Sequence, residues 1–264
     1  MLRDRWDNCI NTVLKVTKAS ALPIEYTSQW FDKLVNLHSD AERSYHTLCH
    51  LEEMFGFVDL LLIPNDYEAN NSDSSDTITP DFLTFDAYEA IIALSVFFHD
   101  AIYNPKSGTN EEDSAELFDQ FVKEVFGDPE VSLSPPAKEW SGFKAVKQFI
   151  IATKSHSLDG ATNIEDEEIP FLQIFLDADM AVLGKSSEAY ENYASLIRQE
   201  YAHVPHNVYC EKRAEILQSF IGSVGGNAKT VYLNAHMREA LEERAIANLK
   251  REIAILQTGQ IPGT

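Results

Sequence analysis

Apolar positions recur at spacings of three and four along most of the chain, the repeat of an amphipathic helix. The pattern runs through residues 8–20 (NCINTVLKVTKAS), 29–40, 49–63, 86–102 and 113–127. It resumes at 142–156, 186–204, 211–222 and 237–257. No strand-like alternation and no internal repeat interrupts it. The intervening stretches are polar and rich in turn residues: 64–80 (PNDYEANNSDSSDTITP), 127–140 and 157–170. The first reads as a mobile acidic loop, and the acidic runs at 70–76 and 165–168 read as solvated loops. The expectation is one all-α domain spanning residues 1–264.

Two apolar runs end in charge. ALSVFFHDAIYNP (93–105) carries His99 and Asp100, and FLQIFLDADMAVLG (171–184) carries Asp177 and Asp179. A carboxylate buried in such a run costs several kcal/mol unless something pairs with it. These carboxylates lack enough nearby Lys or Arg to neutralise them. A divalent cation is the economical partner, because imidazole nitrogen and carboxylate oxygen together suit Fe, Mn, Zn or Co. In RSYHTLCHLEEM, His46 and His50 stand four apart and are expected to share one helix face. The spacing is that of the zinc-protease motif H-E-x-x-H, but Thr47 occupies the place of the catalytic Glu, which excludes that class.

Charge narrows the field further. Asp and Glu number 42 against 21 Lys and Arg in 264 residues, a formal net charge of −21. Such a chain is repelled by nucleic-acid polymers and anionic membrane surfaces. An anionic substrate must therefore meet positive charge locally, from a cation or a few placed side chains. The longest apolar run, VDLLLIP, is too short to span a membrane, and the first residues are charged rather than signal-like. Three cysteines without a C-x-x-C pair give neither a disulfide framework nor a zinc ribbon, so a reducing cytoplasm is expected.

The ordered series His50, His99-Asp100 and Asp179 resembles the HD superfamily of metal-dependent phosphohydrolases, and its predicted phosphohydrolase branch in particular. The motifs that carry the resemblance are YHTLCH (45–50), HDAIY (99–103), NEEDSA (110–115), ATKSH (152–156), DADMAVLG (177–184) and IRQEY (197–201). The C-terminal ALEERAIANLKREI fits as well, so nearly the whole chain is covered. The resemblance implies a helical fold around one or two divalent ions (Mn, Fe, Co, Ni, Zn or Mg) that hydrolyses a phosphate ester or anhydride. It makes His50, His99, Asp100 and Asp179 metal ligands, with Asp177 as the alternative to Asp179. His46, placed like the first histidine of the cyclic-nucleotide phosphodiesterases, becomes a general acid or phosphate contact.

Within that frame a metal acidifies water and offsets phosphate charge, and Asp100 could bridge two ions. His156 is a further ligand or a substrate contact, unless it is an ordinary histidine at a helix C-terminus. Glu111 is a candidate to hold water, against a plainer capping box of Asn110 with Asp113. Lys154, Arg198 and Arg213 are candidates to meet phosphate oxygens, or else form surface ion pairs. A small phosphorylated metabolite, nucleotides included, is the expected substrate, and homo-oligomers are compatible with the pattern. The alternatives are a di-iron HD-type oxygenase and a non-catalytic regulator that keeps the fold but binds a ligand or partner.

Overall fold

The computed structural model describes residues 1–17, 24–62, 84–127, 140–158, 164–222 and 229–262. The expected acidic loop at 64–80 lies outside the described residues. Among them the regular structure is entirely helical, with ten α-helices and no strand. These are α1 (Leu2–Thr17), α2 (Ile24–His38), α3 (Leu48–Leu61), α4 (Phe85–Phe98) and α5 (Asn110–Phe126). They continue as α6 (Ser141–Ala152), α7 (Ile169–Met180), α8 (Ser187–Glu200), α9 (His206–Ile221) and α10 (Ala235–Gln257), with a 3-10 turn at Ala181–Gly184. None of these helices is long and apolar enough to cross a membrane.

Helix α4 is the axle of the larger core. Its N-cap Thr84 accepts a hydrogen bond from the Ala87 amide, and nearly every residue from Ala87 to Phe98 is buried. A helix apolar on all sides must be surrounded, and α4 packs against α1, α3, α5, α6 and α7. Its polar Ser95 survives there by donating to the Ile91 carbonyl at 2.8 Å. Trp6, Phe97, Phe98 and Phe121 interlock around it, with ring centroids 5.1–6.3 Å apart. Truncating one such ring, as in Phe98→Ala, costs about 3–5 kcal/mol.

A second cluster gathers the 3-10 turn, α8, α9 and α10, with Phe57 and Leu61 of α3 packed against both clusters. Gly184 allows α10 to lie close, since a Cβ there would stand 2.6 Å from Leu241 Cβ and 2.7 Å from the Tyr232 hydroxyl. The glycine of the DADMAVLG motif thus has a packing reason. Helix α7 starts with Pro170 in its first turn, where the missing N–H costs nothing. Its N-cap, Glu168, is buried and accepts from the Glu165 amide at 3.1 Å, so the 165–168 run is more than a solvated loop.

Several boundaries differ from the periodicity. Helix α3 begins at Leu48 with Thr47 as its N-cap, so His46 stands on the preceding bend and not on a shared helix face. Helix α5 starts at Asn110: Thr109 pairs with Asp113, while Asn110 accepts from the Asn104 amide at 3.0 Å instead of capping. Helix α6 stops at Ala152, and His156 takes a left-handed φ of 46°. Helix α8 ends at Glu200, and α9 begins at His206 behind Pro205.

Candidate metal centre

Four helix ends converge at one place. Just past the last turn of α4 stand His99, its C-cap, and Asp100; the first turn of α3 delivers His50, and the end of α7 delivers Asp179. The turn after α6 adds His156. One donor atom from each of His50, His99 and Asp100 lies within 4.8 Å of the others, a spacing compatible with a metal ion. Asp179 joins them, with Oδ1 3.1 Å from His50 Nε2 and 3.8 Å from His99 Nε2. Its Oδ2 meets His156 Nε2 at 2.9 Å.

The donor chemistry fits a cation. His50 Nε2 and His99 Nε2 are shut off from solvent, yet neither makes a hydrogen bond of acceptable geometry. Each instead stands 3.1 Å from a carboxylate oxygen, His50 from Asp179 Oδ1 and His99 from Asp100 Oδ2, as ion pairs poorly aligned for hydrogen bonding. A cation among these donors would meet all four groups at once. The other nitrogen of His99, Nδ1, faces the Val96 carbonyl at 3.1 Å. That contact places the Nδ1 proton and turns the Nε2 lone pair toward the cluster, as in metal-ligating histidines. The two imidazoles form a closed floor, while Asp100 and Asp179 retain 18% and 13% of their side-chain exposure. A ligand can therefore approach from the carboxylate side.

The electrostatics describe the same demand. Burial favours the neutral ring of His99, but Asp100 overrides it and pushes the ring up to about 9. Burial would raise Asp100, but His99 and His46 hold it well below the usual carboxylate range. Asp179 is held low against burial by His156 and His50. A proton on His99 occupies the place that a cation would take, and metal binding would release it.

His46 stands at the rim with Nε2 3.9 Å from Asp100 Oδ2. Its Nδ1–H donates to Glu200 Oε2 at 2.7 Å. The other oxygen of Glu200 accepts three backbone amides, from Ser44 and Tyr45 at 2.8 Å and from His46 at 3.0 Å. Tyr103 donates its hydroxyl to Oε2 at 2.8 Å and lays its ring 4.3 Å from the His46 ring. Burial opposes ionisation of Glu200, but these donors outweigh it and draw the carboxyl down to about 2. Burial also opposes a charged His46, and Asp100 and Glu200 reverse that, raising it above its ordinary value.

Asp177 is not part of the cluster. Its two oxygens accept the amides of Leu233 at 2.8 Å and Asn234 at 2.6 Å, tying α7 to the chain entering α10. The burial penalty read from the sequence is real there, with the carboxyl pushed up to about 7, but backbone amides meet it and no cation is needed.

The three expected phosphate contacts are spent on protein partners. Lys154 is exposed and bound to Glu112 and the Gly108 carbonyl. Arg198 donates to the Tyr201 carbonyl at 2.6 Å and stacks on Tyr209. Arg213 is paired with Glu252 at 3.0 Å and donates to the Tyr193 hydroxyl. Glu111 lies in the first turn of α5, half-buried, and makes no hydrogen bond or ion pair with the cluster among the described residues. Glu200, Tyr103 and Arg43 join the site without a place among the residues expected from the sequence. Only Glu200 carried a clue: a carboxylate in the last turn of a helix opposes the helix dipole and needs a reason.

No family model, curated protein or solved structure matches this chain.

Proposed function

We propose that this chain is a metal-dependent phosphohydrolase of the HD type that cleaves a phosphate ester or anhydride of a small metabolite. The observation that carries the reading is the convergence of buried donor atoms: one each from His50, His99 and Asp100 within 4.8 Å of one another, with Asp179 Oδ1 3.1 Å from His50 Nε2. His50, His99, Asp100 and Asp179 would hold the ion. A divalent cation there supplies charge against phosphate oxygens and acidifies water. The six ordered motifs of the HD resemblance support the same class.

The chain's own groups have distinct work. His156 fixes the orientation of Asp179 through Oδ2. His46 acts as general acid: its Nε2–H passes to the leaving oxygen as the bond from phosphorus to that oxygen breaks and one to water oxygen forms. The water's proton is released to solvent, from which His46 is recharged. Glu200 keeps the His46 proton inventory in place by holding Nδ1–H, and the Tyr103 hydroxyl fixes the Glu200 carboxylate. Elemental analysis of the purified protein beside His99→Ala tests the reading. Bound Mn, Fe, Co, Ni or Zn in the wild type, absent in the variant, together with hydrolysis of a generic phosphate ester, is the expected result. No ion bound after dialysis against these metals would move the chain to the non-catalytic class.

A further inference from the structure

His46 and Asp100 come from separate stretches of chain, yet their side chains must keep a working distance. Arg43, 8% exposed, bonds the main chain of both, and no carboxylate stands at ion-pair distance from it among the described residues. Its guanidinium is spent on main-chain carbonyls. Nη1 donates to Asp100 at 2.7 Å and to His46 at 3.0 Å, and Nη2 donates to Ala101 at 2.9 Å. His38 Nδ1 sits 3.4 Å from Nη1, and the other nitrogen of that ring faces the Phe97 carbonyl at 3.4 Å. The Tyr103 ring lies 5.4 Å from the guanidinium carbon.

Burial opposes the charge on Arg43, and the carboxylates of Asp100 and Glu200 offset part of that from beyond ion-pair distance. The carbonyls of Asp100 and Ala101 lie past the end of α4, where the chain has left the helix and its buried carbonyls need donors from elsewhere. A planar guanidinium with fixed fork geometry can span two consecutive carbonyls and reach a third on another segment. An ammonium carries its three donors on one nitrogen and cannot reproduce the fixed separation of Nη1 and Nη2. The carbonyls it binds belong to the two residues whose side chains face each other at 3.9 Å, together with the next residue in the chain.

We propose that Arg43 is a positioning residue that sets the separation between His46 and Asp100 by clamping the carbonyls of residues 46, 100 and 101. The proposal rests on the phosphohydrolase reading and concerns Arg43's effect on that site. It makes no contact with substrate. Its consequence is selective: without the clamp, the ligand cluster still gathers from α3, α4 and α7, but the acid drifts from its target. A displacement of about 1 Å in reacting groups can lower turnover roughly a hundredfold.

The test compares wild type, Arg43→Lys and Arg43→Ala loaded with cobalt(II). Cobalt stoichiometry, the visible cobalt absorption, circular dichroism and steady-state hydrolysis of a nitrophenyl phosphate ester are read for each. Arg43→Lys should bind cobalt with wild-type stoichiometry and alter the visible absorption as Asp100 reorients. Its kcat should fall roughly a hundredfold while KM hardly moves. Added guanidinium should restore part of the lost kcat in Arg43→Ala, and methylammonium should not. Wild-type kcat and absorption in Arg43→Lys overturn the proposal, as does equal rescue by both ions. Loss of helicity in both variants overturns it too, leaving Arg43 a purely structural residue. Absence of cobalt uptake by the wild type is a different failure: it removes the metal reading and the proposal together.

Discussion

Two buried charged clusters sit in the same helical framework and are finished in opposite ways. Around Arg213 the two charges are paired: Nε faces Glu252 Oε1 at 3.0 Å, Nη2 donates to Tyr193, and Tyr190 donates to Glu252 Oε2. One positive and one negative charge cancel inside that network. Around His99, two carboxylates face three imidazoles, and two ring nitrogens are left without a hydrogen bond. The two clusters are near neighbours, since Tyr193 packs on Tyr45 at 4.7 Å and Tyr45 packs on His50 at 4.9 Å. Burial is therefore common to both, and the pairing of charge is what separates them: one Arg–Glu pair in the first, several imidazoles sharing two carboxylates in the second. A closed network holds helices together, whereas an open one is built for something that arrives later.

The contrast is broken most directly at Asp100. Asp100→Ala should bind no metal by elemental analysis and lose hydrolysis entirely, with its helicity intact. Retained activity in that variant would sink the assignment. At the closed cluster the effect should fall on stability instead. Glu252→Ala strands Arg213 and should cost about 3–5 kcal/mol in denaturant unfolding, with metal stoichiometry unchanged. The double variant Arg213→Met with Glu252→Leu should recover most of that loss, because it removes both charges together. Recovery failing in the double variant would mean that the pair specifies the packing of α8 against α10.

Smaller changes sharpen the difference at the rim. His46→Ala should keep the metal and lower kcat by about a hundredfold, the usual scale for a general acid. Loss of metal in this variant would make His46 a ligand. Glu200→Gln should do the same more mildly and also change the acid limb of stability. Glu200 is held at about 2 against an ordinary 4.5, so its stabilising contribution is complete above 4.5 and drains away as pH falls toward 2. The variant should lose stability at neutral pH and flatten that limb. A wild-type acid limb in Glu200→Gln would show that the three backbone amides do not depend on its charge. The least effect is expected at Lys154→Ala, with KM and kcat unchanged, because Lys154 is engaged with Glu112 at the surface. A raised KM there would return Lys154 to the substrate.

Much of the helical framework was legible in the chain, and so were the residues of the cluster that interrupt apolar runs. His99 and Asp100 stand where α4 should still be apolar, and Asp179 does the same on α7; that mismatch alone marks them. Asp177 bears an identical mark and fails as a ligand, because Leu233 and Asn234 reach it from 56 and 57 residues away. For Lys154 and Arg213 the chain left phosphate contact and ion pair both open, because the partners that decide it, Glu112 and Glu252, lie 42 and 39 residues distant. Arg43 had no anomaly to betray it, since an arginine in a polar stretch looks solvated.

Periodicity by itself determined that the chain is helical, because a repeat of three to four apolar positions can be buried by little else. The run of apolar residues through α4 likewise required that its terminal carboxylate be paired. What paired it, which aspartate joined it, and whether each buried charge ended satisfied or open depended on helix ends meeting across long separations. Hydrogen bonds reach only about 3 Å, so those outcomes are set by where the packed helices bring their ends, which no local pattern records.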